Sequence, residues 1–409
     1  MEFGISKCAA LIMKKGKIMQ SEGVRIPNQE EIKSLDEGDS YKYLGVLESD
    51  DIMSEEMKKN IKNEYLRRIG KILKSKLNGG NIITAINSRA VAVVRYSAGI
   101  VKWTKEEMRK MDRKTRKFLT INRCLHPQAD VDRLYVKRSE GGRGLIGVED
   151  CIAIEVLSLS KYLEKSTETM LKAVVKEQGL KEQRPNADNI MKEKYERYKA
   201  KELHGKFIRD TEDGRHGLTW DWLKKGIIKK ETEGLIMAAQ DQALRTNAIK
   251  KYIYKADISP KCRLVGVKRA DKWYDHEPEG VIETERYKIL WDFKVQTDHQ
   301  LEHNRPDLVF YDKQQQPCQI IDVACPFDTR VENKMKEKVD RYQDLKGEIK
   351  RIWKCKQVDI IPVVIGALGT IHRDMPEWLK KLEMHELIVK FQQACILGTA
   401  RILRKVLNT

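Results

Sequence analysis

The stretch RPDLVFYDKQQQPCQIIDVA, residues 305–324, predicts the fold of the last third of the chain. It holds two strand-like runs, DLVFYD and CQIIDVA, joined by a polar turn, which is typical of a β-hairpin. Pro306 suits the first position of a strand because proline donates no ladder hydrogen bond. A hairpin would place Asp307, at the start of the first strand, beside Asp322 on the second.

Asp322 lies in the apolar run IIDVA, where its charge would be buried without compensation. A divalent cation shared with Asp307 is an economical way to stabilise it. Hydrolysis of a phosphodiester uses a hard cation, Mg²⁺ or Mn²⁺, which takes oxygen ligands and lowers the pKa of bound water. The pair therefore predicts Asp307 and Asp322 as metal ligands. A buried aspartate that is only hydrogen-bonded, or paired with arginine, is the alternative.

A helix is predicted next, capped by Asp328-Thr329 and running through about Trp353. Lys334 and Lys338 run alongside its apolar stripe, and either could reach over the strand edge to the metal site. For each lysine taken singly, a solvated helix face is the simpler interpretation. Tyr342 lies on the apolar stripe, which favours a packing role.

The rest of the chain shows two kinds of sequence pattern. After Pro260, strand-like segments such as YKILWDFKV and VDIIPVVIG alternate with helical ones, which is typical of a mixed α/β layer. The first two-thirds read mostly as helices, among them one from Ser54, one over about 82–101, and one opened by a capping box at Thr104. We therefore expect an α+β protein overall.

The helix after Thr104 has a basic side that could track a phosphate backbone. A merely solvated basic face is an equal alternative. The candidate nucleic-acid-binding residues here are Arg109, Arg113, Arg116 and Lys117, with Arg305 added from the hairpin.

The net charge and the cysteine content indicate which partners and cofactors to expect. Within 409 residues, 79 lysines and arginines against 61 aspartates and glutamates give a net charge of +18, which favours a nucleic-acid partner. The eight cysteines form no C-x-x-C pair, which argues against a disulfide framework and a self-contained zinc site. No apolar run of membrane-spanning length or signal peptide is evident, so we expect an intracellular protein, nuclear or cytoplasmic, without a membrane partner.

Long segments of the chain resemble the C-terminal part of polyproteins from site-specific non-LTR retrotransposons that carry a restriction-like endonuclease. The resemblance rests on an ordered set of segments: FGISKCAALIMKKGK, YKYLGVLES, HPQADVDRLYVKRSEGGRGL, KWYDHEPEGVIETERYKILWDF, RPDLVFYDKQQQPCQIIDVACPFDTRVENKMKEKVDRYQDL, IIPVVIGALGT and LGTARILRKVL.

The resemblance implies a domain order. The segments would be a remnant of the reverse transcriptase palm at 1–48, a thumb-like helical domain at 49–150, a helical linker at 151–270, a restriction-endonuclease-like PD-(D/E)XK domain at 271–383, and a C-terminal helix at 384–409. Two family features are missing. The polymerase aspartates would lie upstream, so this chain is not expected to polymerise alone, and the zinc knuckle is lost where Cys262-Arg263-Leu264 runs into Val265.

The resemblance also implies site roles. Asp307 and Asp322 would bind Mg²⁺ or Mn²⁺, Lys338 or Lys334 would be the assisting lysine, and Tyr342 would assist. Ala324 occupies the usual lysine position of the D/E-x-K motif.

The expectation is a magnesium-dependent endonuclease fragment that nicks DNA. Its partners would be DNA, then element RNA and the full-length element protein, with no zinc. The alternatives are a catalytically inactive nucleic-acid-binding retroelement remnant, and a gene relic that is not a stable product.

Overall fold

A computed structural model describes residues 8–26, 31–36, 39–49, 51–178, 187–213, 217–252, 255, 257 and 280–407. With about 52% helix and 15% strand, it is an α+β protein, as predicted. The chain divides into two compact units that are discontinuous in sequence. The first comprises Met1–Lys76, Ile82–Asn122 and Leu145–Lys192, and the second Leu77–Asn81, Arg123–Gly144 and Glu193–Thr409. These units cut across the five segments predicted from the sequence.

The first unit begins with short strands. They form a sheet of order β1-β5-β4 and two hairpins, β2-β3 and β6-β7. Their bounds are β1 Ala9–Ala10, β2 Met13–Lys14, β3 Lys17–Ile18, β4 Val24–Arg25, β5 Glu31–Ser34, β6 Tyr41–Tyr43 and β7 Val46–Glu48.

Helices follow through to residue 252. Their bounds are α1 Ser54–Leu73, α2 Gly79–Ala85, α3 Val91–Ser97, α4 Lys105–Ile121, α5 Val131–Tyr135, α6 Val148–Lys165, α7 Thr169–Gln178, α8 Ala187–Ala200, α9 Lys206–Thr211, α10 Asp221–Lys225, α11 Lys230–Gln240 and α12 Asn247–Tyr252. The capping box of α4 is confirmed: Thr104 accepts a hydrogen bond from Glu107 N, and the Glu107 carboxylate accepts one from Thr104 N. The helix predicted over 82–101 is confirmed up to Ser97: α2, a π-helical turn at Ile86–Ala90 and α3 follow one another without a gap, and the helix ends before Val101.

In the second unit, the chain after residue 280 forms a mixed five-stranded sheet of order β12-β11-β10-β9-β8. The predicted hairpin is confirmed as β10 paired antiparallel with β11, while β11 and β12 are parallel. The bounds are β8 Val281–Glu283, β9 Tyr287–Trp291, β10 Leu308–Asp312, β11 Pro317–Ala324, α13 Val331–Arg341, α14 Gln343–Ile352, β12 Gln357–Val364, α15 Met375–Lys380 and α16 Ile388–Leu407.

Side chains alternate between the two faces of this sheet. Val309, Cys318 and Ile320 point to the face where α14 contributes Leu345 and Ile349 to a common buried core. The opposite face, towards α15 and α16, borders an apolar cavity of about 560 Å³. Asp322 comes two residues after Ile320 on β11, so its side chain points to the same face of the sheet, which α14 covers.

The helix predicted from Asp328 through Trp353 is wrong in two details. It is broken at Tyr342, whose φ of −104° and ψ of 12° end α13 and precede α14. Asp328 does not cap it, because its buried carboxylate accepts hydrogen bonds from Leu368 N at 2.9 Å and Thr370 N at 3.1 Å instead. The turn before α13 is thereby tied to the loop after β12.

The structure also bears on the expectations about membrane spans and cysteines. No described helix is long and apolar enough to cross a membrane. The cysteines within the described ranges are all free thiols, but they are not all isolated, since the Sγ atoms of Cys325 and Cys395 lie 2.7 Å apart.

Candidate functional site

Asp307 and Asp322 face each other across the β10–β11 hairpin. Leu308 pairs with Ile321, and extending this antiparallel register by one residue sets Asp307 opposite Asp322. Asp307 is held to the neighbouring strand, because its Oδ2 accepts a hydrogen bond of 2.6 Å from Val323 N. The two carboxylates therefore lie together at the end of the hairpin, on the face covered by α14.

Asp322 is 2% exposed, and its charge is partly compensated by Lys338 from α13. The Lys338 ammonium forms an ion pair with Asp322 Oδ2, and the Lys338 side chain is itself 10% exposed. Asp322 Oδ2 is buried, and among the described residues the Lys338 ammonium is its close partner. A buried carboxylate oxygen is thus already in contact with one cationic group.

The positive charge near Asp307 and Asp322 does not balance the negative charge of the two carboxylates. Burial raises the pKa of Asp307, the nearby Asp322 raises it further, and the Val323 N–H and the Lys338 ammonium lower it only in part. Two acidic groups around one ammonium repel each other when both are ionised. A divalent cation would relieve that repulsion.

Tyr342 closes the site from the break between α13 and α14. It is 3% exposed, and its hydroxyl lies 3.5 Å from Arg305 O, to which it donates. Burial and the neighbouring Asp322 raise the pKa of Tyr342 to about 12, so the phenol stays protonated near neutral pH. Tyr342 packs in the core below the sheet and also presents a donor beside the aspartates.

Two other predicted site residues have different partners. Lys334, one turn before Lys338, binds Glu337 at 2.7 Å on the helix surface. Arg305 is exposed and makes a bidentate pair with Asp292, at 2.9 Å for both nitrogens. Of the two lysines left open by the sequence, the structure brings only Lys338 to the carboxylates.

The basic residues of α4 belong to the first unit. Arg109 pairs with Glu149 at 3.4 Å and Arg113 with Glu106 at 2.7 Å, while Lys117 is exposed and Arg116 half-buried. Pairs as exposed as these contribute little to stability and give way readily to a stronger anion.

The donor set suits a small hard cation. Magnesium is usually held in proteins by one or two carboxylates and keeps several of its waters. Asp307 and Asp322 supply two carboxylates for such a site. Within the described ranges, no group of three or more acidic, histidine or cysteine side chains is placed to hold a metal ion. The predicted loss of a zinc knuckle at Cys262 falls outside the described residues.

Sequence reasoning missed the groups that set the geometry of the pair. Val323 N orients Asp307, and Asp292 N donates to Asp307 O at 2.8 Å. Neither leaves a signal in the sequence, because a backbone N–H carries no residue identity. No protein-family model matches this chain, and no curated protein matches it significantly.

Proposed function

We propose that this protein is a metal-dependent DNA endonuclease that nicks one strand by hydrolysing a phosphodiester. The observation that carries the proposal is the meeting of Asp307 and Asp322, with Lys338, around a buried carboxylate oxygen. The mixed sheet, with the acidic pair on its hairpin and the lysine on the following helix, supports a restriction-endonuclease-like fold.

Each side chain has a definable task. Asp307 and Asp322 would hold Mg²⁺ or Mn²⁺, and such a cation supplies an activated water and neutralises charge developing on the phosphate. Lys338 places a fixed positive charge where the reacting phosphate would lie, and preorganised charge is among the largest contributions to catalysis. Tyr342 would assist by donating its hydroxyl hydrogen to Arg305 O, two residues before Asp307.

The resemblance to site-specific non-LTR retrotransposon polyproteins supports a biological setting. In that setting, the nick exposes a 3′ hydroxyl for target-primed reverse transcription by a complete element. The partners would be the DNA target, element RNA and the full-length element protein, in the nucleus or cytoplasm. The net charge of +18 favours such polyanionic partners.

A plasmid assay tests the proposal. The purified chain, incubated with supercoiled DNA and Mg²⁺ or Mn²⁺, should produce nicked circles, and EDTA should abolish them. Salt-sensitive DNA binding without nicking in either metal would contradict the endonuclease and leave an inactive nucleic-acid-binding protein. Absence of cooperative thermal unfolding would instead support a relic that is not a stable product.

A further inference from the structure

The loop between β11 and α13 displays an aromatic side chain on a fixed support. Phe327 is 64% exposed, although its neighbour Asp328 is 3% exposed. The Asp328 carboxylate binds two backbone N–H groups of the loop after β12, and Pro326 O accepts a hydrogen bond of 2.8 Å from Ala367 N. Arg330 N donates to Phe327 O, also at 2.8 Å.

This support makes the exposure of the ring informative. A phenylalanine on a loose loop can fold back onto apolar surface, whereas the backbone on both sides of Phe327 is pinned. Leaving an aromatic ring in water forfeits the free energy of burying it. A rigid loop that presents such a ring is arranged for contact with another molecule.

The surroundings of Phe327 favour an anion with an apolar face. A surface cavity of about 670 Å³ is lined by Pro326, Phe327, Arg330, Asn333, Lys334 and Glu337. Glu337 is its one acidic residue, and both Lys334 and Arg341 pair with it. Arg330 is exposed, and no described residue pairs with its guanidinium.

The loop also connects the two halves of the candidate site. It joins the strand that carries Asp322 to the helix that carries Lys338. Phe327 lies five positions after Asp322, so their Cα atoms lie within about 18 Å of each other. This distance corresponds to a few nucleotides of a DNA strand whose cleaved phosphate lies at the two carboxylates.

We infer that Phe327 stacks on an unpaired base near the cleaved phosphate, while Arg330 binds the adjoining backbone phosphate. The inference rests on the proposed endonuclease function and deepens it, because it assigns a strand with a locally unstacked base as the substrate. Phe327 and Arg330 are positioning residues. Aromatic rings bind single strands in this way because every base has a stacking face.

Binding without cleavage tests the inference. Fluorescence anisotropy in EDTA compares a labelled mixed-sequence single-stranded DNA with an equally long strand in which every base is replaced by an abasic unit. The wild-type protein should bind the strand with bases about tenfold more tightly, the effect of losing one stacked base. Phe327→Ala should bind both strands equally, and Phe327→Trp should restore the preference.

Three controls separate the possible causes. Tyr162→Ala removes a ring that is 66% exposed on α6, and should keep the wild-type preference. Arg330→Gln should weaken binding to both strands and lower the salt slope of log K by about 0.7 for one lost phosphate contact. All variants should unfold at the wild-type temperature, since the altered side chains are exposed.

The outcomes also separate this inference from the nuclease proposal. An undiminished preference in Phe327→Ala, or no preference in the wild-type protein, would overturn the stacking role even if the plasmid is nicked. A preference that depends on Phe327, with no nicking in Mg²⁺ or Mn²⁺, would support the stacking role and contradict the nuclease.

Discussion

The second unit contains two buried clusters of charge that differ in balance. Glu233, on α11, is 0% exposed, and Arg138 and Arg143 donate to its carboxylate at 2.6 and 2.8 Å. Burial acts to raise the pKa of Glu233, but the two guanidinium groups outweigh it and lower that pKa. At the sheet, Asp322 is 2% exposed, yet it shares the single Lys338 ammonium with Asp307, whose pKa is raised.

The difference is the one we expect between a structural cluster and the site that we propose as functional. Around Glu233, two cations serve one anion and both carboxylate oxygens are hydrogen-bonded. Around Asp322, two carboxylates share the single Lys338 ammonium among the described residues. Repulsion between two carboxylates that share one cation is tolerated where a ligand relieves it. Groups whose pKa values are shifted by burial and by like charge cluster at such ligand sites.

Breaking the balanced cluster should have the largest effect on stability. Glu233→Ala leaves the buried Arg143 and the half-buried Arg138 without their carboxylate, which costs about 4 kcal/mol of unfolding free energy. Chemical denaturation of the purified protein measures this loss. Glu231→Ala, two residues earlier on the same helix, is the control and should change stability little. A loss below about 1 kcal/mol for Glu233→Ala would refute the structural role.

Removing the lone cation of the other cluster should act on the reaction. Lys338→Met should lower the nicking rate by about a hundredfold or more, because one preorganised positive charge is lost. Lys334→Met, one turn away and paired with Glu337, should nick at nearly the wild-type rate. Equal losses in the two variants would show that the ion pair with Asp322 does not identify the assisting lysine.

The unbalanced cluster should bind metal and gain stability from it. Mg²⁺ at a hundred times its dissociation constant should stabilise the folded protein by about 2.7 kcal/mol. Differential scanning fluorimetry with and without Mg²⁺ reports this as a rise in Tm. The rise should vanish in the variant that combines Asp307→Asn and Asp322→Asn, and its persistence there would place the metal elsewhere.

Without metal, the acidic pair should be destabilising. Because the folded-state pKa of Asp307 exceeds its ordinary value of 3.8, the folded protein loses stability as pH rises from that value through the raised pKa. Asp307→Asn should therefore raise the unfolding free energy by about 1 kcal/mol at neutral pH. The gain should disappear below the ordinary pKa, where Asp307 is protonated in both states. A neutral-pH loss of stability would contradict the repulsion.

The smallest predicted effect is a shift in pH dependence. Stabilisation by Mg²⁺ should fade as pH drops through the raised pKa of Asp307, because a protonated carboxyl is a poor ligand. Lys338 lowers this pKa, so in Lys338→Met the midpoint of the fading should move to higher pH. Fluorimetry across a pH series measures this midpoint. An unchanged midpoint in Lys338→Met would show that the ammonium does not affect the pKa of Asp307.

The sequence predicted the hairpin and the neighbouring aspartates because strand pairing follows from alternation and a polar turn. It left Lys334 and Lys338 as alternatives, since both follow the same helical stripe and only the helix position relative to β11 separates them. The break at Tyr342 and the turn of Asp328 towards Leu368 and Thr370 depend on contacts distant in sequence.

The partner of the buried Asp322 shows the same limit. Its burial was foreseeable from the run IIDVA, and a metal was the expected compensation. The ion pair with Lys338 supplies part of that compensation from a residue sixteen positions later. Periodicity identifies a buried charge, but it does not identify which distant side chain will meet it.

Plasmid nicking by the paired-asparagine variant is the most direct test of the carboxylate site. Asparagine keeps the size of aspartate and can still accept the Val323 N–H, so Asp307→Asn with Asp322→Asn should fold and bind DNA. With Mg²⁺ or Mn²⁺, the wild-type chain should convert supercoiled DNA to nicked circles, while this variant leaves it supercoiled. Equal nicking by the two proteins would contradict the assignment of Asp307 and Asp322.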